Sequence, residues 1–265
     1  MGGLEELTLA SLASIIWPFC RIGGFCMNMF VFSGAAVPPM ARVWFSLMFA
    51  VCILPDIPPV ENPMALFSLY GALITVKEIL IGMALGYLTQ FLAQVFIIAG
   101  QAVAMQTGLG FASLVDPVSG TNTPVVGQFF SVLTTLVFLA MNGHLLFFRM
   151  LEMSFSTLPI GLSFLPLDGM HDLVYFGSTM FLCGLVMAIS SICTMLVVNF
   201  TLGVMTRAAP QLNIFSLGFA VTMVTGMFVL ATSLNAYMIN YTHAINEVIS
   251  TGCTLMGTSC EGIFD

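Results

Sequence analysis

"GLGFASLVDPVSGTNTPVVGQF", Gly108 to Phe129, sets Asp116, Pro117, Ser119, Gly120, Thr121, Asn122, Thr123 and Pro124 between two long apolar runs. The run before it, residues 65 to 114, carries only Lys77 and Glu78 as charges; the run after it spans residues 125 to 148. Neither alternates at period two, so both predict helices, the form that together with closed barrels satisfies a backbone in lipid. A polar, breaker-rich loop between two such helices is tolerated at membrane depth only where protein buries it or where it lines an aqueous cavity. The stretch therefore predicts an all-α membrane protein that encloses one irregular segment.

Further apolar runs occupy residues 7 to 32, 41 to 54, 173 to 206 and 212 to 246. Their lengths do not suit a simple bundle of perpendicular spans. The run from 41 has about 14 residues where a bilayer needs about 20. The run from 65 has about 50, which as one helix would extend about 75 Å. Either it folds back near Gly82, Gly86 or Gly100, or much of it lies outside lipid and is covered by other protein. The last two runs pose the same choice. Helical hairpins packed side by side in an oligomer would satisfy both. No soluble domain or internal repeat stands out, and the chain reads as one helical domain over residues 1–250 with a short tail, 251–265.

Composition agrees with membrane residence. Hydrophobic residues make up 59% of the chain and charged ones 6%, against roughly 25% charged in a soluble domain, and the mean hydropathy is +1.06. Twelve acids against five bases give a net charge of -7, which leaves no basic stripe for phosphates and excludes a nucleic-acid partner. Glu5 and Glu6 stand where a secretory signal would carry bases, so the first run is expected to be retained. Glu6 also spoils a myristoylation motif at Gly2. Arg21, Lys77 and Arg149 lie inside or beside helices, and Arg42 and Arg207 alone are too few to fix orientation by the positive-inside rule. The seven cysteines form no C-x-x-C and read as small buried apolar side chains. Cys253 and Cys260 are the one pair worth testing for a disulfide.

The charges inside the runs need partners. Lys77 and Glu78 are adjacent, hence about 100° apart on a helix, and cannot serve each other as an i,i+4 pair. Arg21, deep in the first run, is the natural counter-ion for Glu78 if those helices pack, because an isolated charge at membrane depth costs several kcal/mol. Snorkelling to the interface or a partner on another subunit are the alternatives. A proton relay would need a connected series of acids or histidines, and Glu78 stands nearly alone. His144, His171 and His243 make no i,i+3 or i,i+4 metal pair, and neither G-x-S-x-G nor H-E-x-x-H occurs. No enzyme activity, metal or cofactor is expected. Gly82 and Gly86 form a G-x-x-x-G that would let helix backbones approach, a weak signal among 24 glycines. Twenty methionines and 24 phenylalanines offer adaptable apolar surface, and those near residue 108 could line a deformable constriction.

"MTRAAPQLNIFSLGF", Met205 to Phe219, is the second irregular stretch. Arg207 falls where a cation meets the unpaired carbonyls at a helix end. Pro210 then turns the chain away from helix, with Gln211 and Asn213 adding polar groups. It reads as a hairpin corner, structural or in contact with a partner.

With these two stretches in this order, the sequence resembles the FliR family of flagellar export-gate proteins, whose virulence counterparts are the SctT proteins of injectisomes. The likeness also takes in "WPFCRIGGF", "VPPMARVWFSL" and "EILIGMALGYLTQFLAQVFIIAGQAVAMQTGLGFASLVDP", and reaches about residue 246. The resemblance implies long helical hairpins packed in a hetero-oligomeric ring at the bacterial inner membrane, in the flagellar basal body. One such subunit would assemble with several copies of FliP and FliQ, in contact with FlhB and FlhA, and exported flagellar proteins would be the substrates. It implies that residues 108 to 123 form a channel plug, with Phe111, Leu114 and Val115 as apolar stoppers. Asp116, Pro117 and Gly120 would set the loop's path, and Gly108, Gly110 and Gly120 would permit its displacement. Arg207, Pro210, Gln211 and Asn213 would make assembly contacts. The competing readings are a solute or ion transporter with a re-entrant site at 108–124, an injectisome gate, and a purely structural scaffold.

Overall fold

In the computed structural model, residues 2–34, 37–58, 68–111, 113–115, 122–161, 167–208 and 214–258 are described. They form helices α1 (Gly2–Asn28), α2 (Phe30–Ser33), α3 (Pro39–Ile53), α4 (Leu69–Thr107), α5 (Val125–Ala140), α6 (Gly143–Thr157), α7 (Leu167–Ala208) and α8 (Ile214–Met256). Three are long and apolar enough to cross a membrane, or five spans if each of two bent pairs counts as one. The protein is an all-α membrane protein.

Local sequence explains most boundaries. Pro38 and Pro39 open α3, where the fixed proline φ suits the first turn and the missing N–H is not needed. Arg42 ties the turn before it by donating from Nη2 to the carbonyls of Gly34 and Val37 at 2.6 and 3.0 Å. The run from 65 does not fold back: α4 is one uninterrupted helix of 39 residues. It ends at Gly108, whose φ of +76° is the left-handed conformation that commonly closes a helix. The run from 125 is instead split. Asn142, at φ 55°, breaks it into α5 and α6, bent by 66°. α8 runs from Ile214 to Met256, and its segments Gly218–Leu234 and Tyr237–Met256 are bent by 55°.

The chain forms two compact units. Unit 1 comprises residues 1–91, 138–176 and 248–265; unit 2 comprises 92–137 and 177–247. In unit 1, α1 packs on α3 and meets the first half of α4 through Gly24, Gly82 and Gly86, and Trp17, Phe25, Phe147 and Phe155 are buried. In unit 2, buried Phe96, Phe130, Tyr237 and Tyr241 form one aromatic group with ring centroids 4.6 to 6.3 Å apart. Ala99, Val103 and Ala188 make a second apolar cluster.

Candidate functional site

Along unit 1, one face of α1 meets one face of α4. Trp17 Nε1 donates to Thr75 Oγ1 at 3.2 Å. One turn further, Arg21 Nε donates to Glu78 Oε2 at 2.6 Å, with both side chains fully buried. The helices then touch through glycine. A Cβ on Gly82 would fall on the Arg21 carbonyl oxygen, one on Gly24 would sit 2.7 Å from the Ile79 carbonyl, and one on Gly86 would sit 2.8 Å from the Phe25 carbonyl. At the far end, the Phe30 N–H donates to Thr89 Oγ1 at 2.9 Å and Gln90 donates to Ser33 Oγ at 2.5 Å. Small residues that admit close backbones and polar rungs that join them are how helices associate without a hydrophobic driving force.

The Arg21 guanidinium also caps α6. Its Nη1 donates to the Ser154 carbonyl at 2.7 Å and to Ser154 Oγ at 3.1 Å, and its Nη2 to the Leu158 carbonyl at 2.7 Å. The Phe155 ring lies 4.3 Å below the guanidinium carbon. Pro159 follows the last of these carbonyls and prevents the helix from continuing, which leaves acceptors at its negative end where a cation is favoured. Lys77 Nζ donates to the Gly161 carbonyl at 2.7 Å. The two adjacent cations from α1 and α4 thus hold the same segment, 154–161. Glu78 Oε1 is buried without a hydrogen-bond partner among the described residues.

The other sequence-derived positions fall as follows. After Gly108, a short 3-10 turn, Leu109–Phe111, leads into strand β1 (Ser113–Val115). It pairs antiparallel with β2 (Asn122–Pro124), Ser113 opposite Pro124, Leu114 opposite Thr123 and Val115 opposite Asn122. This ladder brings the two ends of the polar loop together. A Cβ on Gly108 would contact the Phe219 ring at 3.5 Å, and one on Gly110 would meet Met105 Sδ at 3.0 Å. Asp116, Pro117 and Gly120 lie outside the described residues. So do Pro210, Gln211, Asn213 and Cys260. Arg207 is exposed in the last turn of α7.

α7 carries a long exposed apolar face that includes Phe181, Leu185, Ile189, Leu196 and Phe200. Within unit 2 a groove of about 580 Å³ runs between Ser190, Ser191 and Thr194 on α7 and Thr225, Thr232 and Ser233 on α8. Four of these hydroxyls bond to carbonyls of their own helix, so the groove presents spent donors rather than a polar binding constellation. Among the described residues no group of three or more His, Cys, Asp or Glu side chains is placed to hold a metal ion.

Sequence reasoning missed the partners that are backbone atoms, the carbonyls of Ser154, Leu158 and Gly161. "LPIG", Leu158 to Gly161, was the available signal, since a proline there announces a helix end whose carbonyls need donors. The rungs at Thr75 and Thr89 were also missed; they fall on the Glu78, Gly82 and Gly86 face at helical spacing.

The family described as bacterial export proteins, family 1, matches residues 12–248. The flagellar biosynthetic protein FliR of Escherichia coli (strain K12) is 34% identical over 246 residues, 93% of this chain and 94% of that protein. FliR of Pectobacterium carotovorum subsp. carotovorum is 32% identical over 89% of this chain and 90% of that protein. FliR of Bacillus subtilis (strain 168) is 26% identical over 88% and 90%.

Proposed function

The chain belongs to family 1 of the bacterial export proteins, and we propose that it is the FliR-type subunit of a flagellar protein export gate, where it helps form and seal the channel for unfolded flagellar proteins. The observation that carries this reading is the extent of the likeness. The family match over residues 12–248 takes in both irregular stretches, Gly108–Phe129 and Met205–Phe219. In this reading the protein resides in the bacterial inner membrane, in the flagellar basal body. It assembles with several FliP and FliQ subunits, contacts FlhB and FlhA, and performs no covalent chemistry.

Three features support assembly with other helices. α7 has 42 residues, about 63 Å and twice the hydrocarbon thickness. Only 22% of the most apolar part of α7 is buried within the chain. Arg207 stands exposed at the end of α7, shortly before Pro210, Gln211 and Asn213 in the sequence, and these four residues would serve as assembly contacts.

The loop that begins at Gly108 is the proposed plug, with Phe111, Leu114 and Val115 as its apolar stoppers and Asp116, Pro117 and Gly120 setting its path. Two observations favour a displaceable unit: a left-handed glycine at its entrance and a three-rung ladder that closes its base. Such a ladder is short enough to open without unfolding the helices on either side. Deletion of residues 113–120 tests the plug, with ion leak and flagellin secretion measured in cells and gate assembly confirmed by co-purification of FliP and FliQ. An assembled gate with increased leak is the expected outcome. An assembled gate that neither leaks nor changes export reduces the loop to a turn. Substrate-dependent flux through the chain alone in liposomes would replace the gate with a transporter.

A further inference from the structure

The last turn of α8 closes with a specific geometry. Gly257 takes φ +66°, its N–H donates to the Thr254 carbonyl at 3.0 Å, and the Thr258 N–H donates to the carbonyl of Cys253 at 3.1 Å. These are the two bonds of a Schellman motif, in which a left-handed glycine turns the chain back across the final turn of its helix. Thr258 is thereby held against the residue whose side chain is Cys253, and Cys260 comes two residues later. Two residues reach about 7 Å, and bridged cysteines have Cα atoms about 4.4–6.8 Å apart. Of the seven cysteines, Cys20, Cys26, Cys52, Cys183 and Cys193 are free, whereas Cys253 is disulfide-bonded. The site is built to hold it: Cys253, Leu255 and Met256 are buried, and a Cβ on Gly169 would sit 2.6 Å from the Leu255 Cα.

We infer that Cys253 is joined to Cys260 by a disulfide that staples the chain after α8 onto the helix's last turn, and that this end of α8 faces the oxidising side of the membrane. The second step follows from chemistry, because disulfides form and persist outside the reducing cytoplasm. The two thiols release two protons and two electrons as the S–S bond forms. A dithiol–disulfide oxidase of that compartment accepts them and leaves with its own disulfide reduced to a dithiol. This inference concerns covalent structure and orientation, and it stands or falls apart from the plug reading.

Thiol counting on the full chain in its native complex tests both steps. Cells are quenched in acid, the denatured chain is alkylated with a maleimide, and the labels are counted by mass before and after reduction. Five labels before reduction and seven after are expected, from the five free cysteines and the bonded pair. Seven before reduction would overturn the bond. The Cys253→Ser chain should carry six labels in both states, and fewer than six before reduction would show that Cys260 has another partner, five for one outside the chain and four for one within it. In cells lacking the oxidase of the outer compartment, the wild-type chain should carry seven labels without reduction. A bond formed undiminished in those cells would overturn the assigned orientation.

Discussion

The two units solve the problem of helix association in opposite ways. The buried charged residues among those described are Arg21, Lys77 and Glu78, and all three belong to unit 1. There the helices are joined by an ion pair, by cations on carbonyls and by glycines that let backbones meet. Unit 2 buries aromatic rings and small apolar side chains, and its buried polar residues among those described are Thr107, Ser131, Thr134 and Ser191. An apolar face in an apolar chain fits many neighbours about equally well, so unit 2 specifies its packing mainly by shape. A charge that leaves its partner in a low dielectric forfeits far more, so the node in unit 1 is proposed to fix which turn of α1 lies against which turn of α4 and α6. A single buried polar group that sets register is the best-attested role of this kind.

The largest effect that would break this contrast is loss of Arg21. Arg21→Met strands the Glu78 carboxylate and strips donors from the Ser154 and Leu158 carbonyls together. Removing one partner of a buried pair costs about 3–5 kcal/mol. Glu78→Met should cost less, because Arg21 keeps its bonds to the end of α6. The double substitution should be more stable than Arg21→Met alone. A charge swap, Arg21→Glu with Glu78→Arg, should rescue poorly, since the bonds to α6 are made from position 21. Thermal unfolding of the detergent-solubilised complex measures the series. Equal costs for the two single substitutions, with no recovery in the double, would mean that Arg21 and Glu78 act independently and that the node does not set register.

A smaller effect separates glycines that look alike in sequence. A Cβ at Gly82 would fall on a backbone oxygen of α1, whereas one at Gly23 meets nothing within 4 Å. Gly82→Ala must push two helix backbones apart, at about 1–3 kcal/mol for overpacking, offset only partly by better helix propensity. Gly23→Ala should be neutral or stabilising by up to about 1 kcal/mol. Co-purification yield and midpoint temperature of the two variants give the comparison. A harmless Gly82→Ala would show that α1 and α4 do not pack this closely in the assembled protein.

These glycines also mark what the sequence could reveal. A charge in an apolar run demands a partner whatever the fold, so the need behind Arg21 and Glu78 could be read directly; in the structure the two lie 2.6 Å apart. The acceptor for Lys77 could not be named, because it is the Gly161 carbonyl and every residue has a carbonyl. G-x-x-x-G at 82–86 carried little weight by spacing alone. It gains meaning only with Thr75, Glu78 and Thr89 on the same helix face. The break at Asn142 was hidden by the apolar residues on both sides, although Asn142-Gly143 is a dipeptide that favours left-handed backbone. The continuity of α4 was open in the other direction. Glycines at 82, 86 and 100 allow a bend but do not require one, and tertiary packing settles the matter. Residues 116–121 and 209–213 are breaker-rich stretches of sequence whose partners, in the proposed gate, belong to other chains. One sequence holds only half of such a contact.

The finest comparison lies within unit 2, between two neighbouring tyrosines on α8. Tyr237 and Tyr241 are both buried and both pack on Phe96. The Tyr237 hydroxyl donates to Thr134 Oγ1 at 2.9 Å, and Thr134 in turn donates to the Phe130 carbonyl at 2.7 Å. The Tyr241 hydroxyl has no hydrogen-bond partner among the described residues. Tyr237→Phe should therefore cost about 0.5–1.5 kcal/mol, the net worth of one hydrogen bond, whereas Tyr241→Phe removes an unsatisfied buried group and should be neutral or slightly stabilising. In a Thr134→Val background the penalty of Tyr237→Phe should vanish, because the acceptor has gone. If Tyr241→Phe proved the costlier change, its hydroxyl would have to find an acceptor in the assembled complex. The aromatic core of unit 2 would then rely on a directional polar contact as unit 1 does, and the division between the units would narrow to the presence or absence of charge.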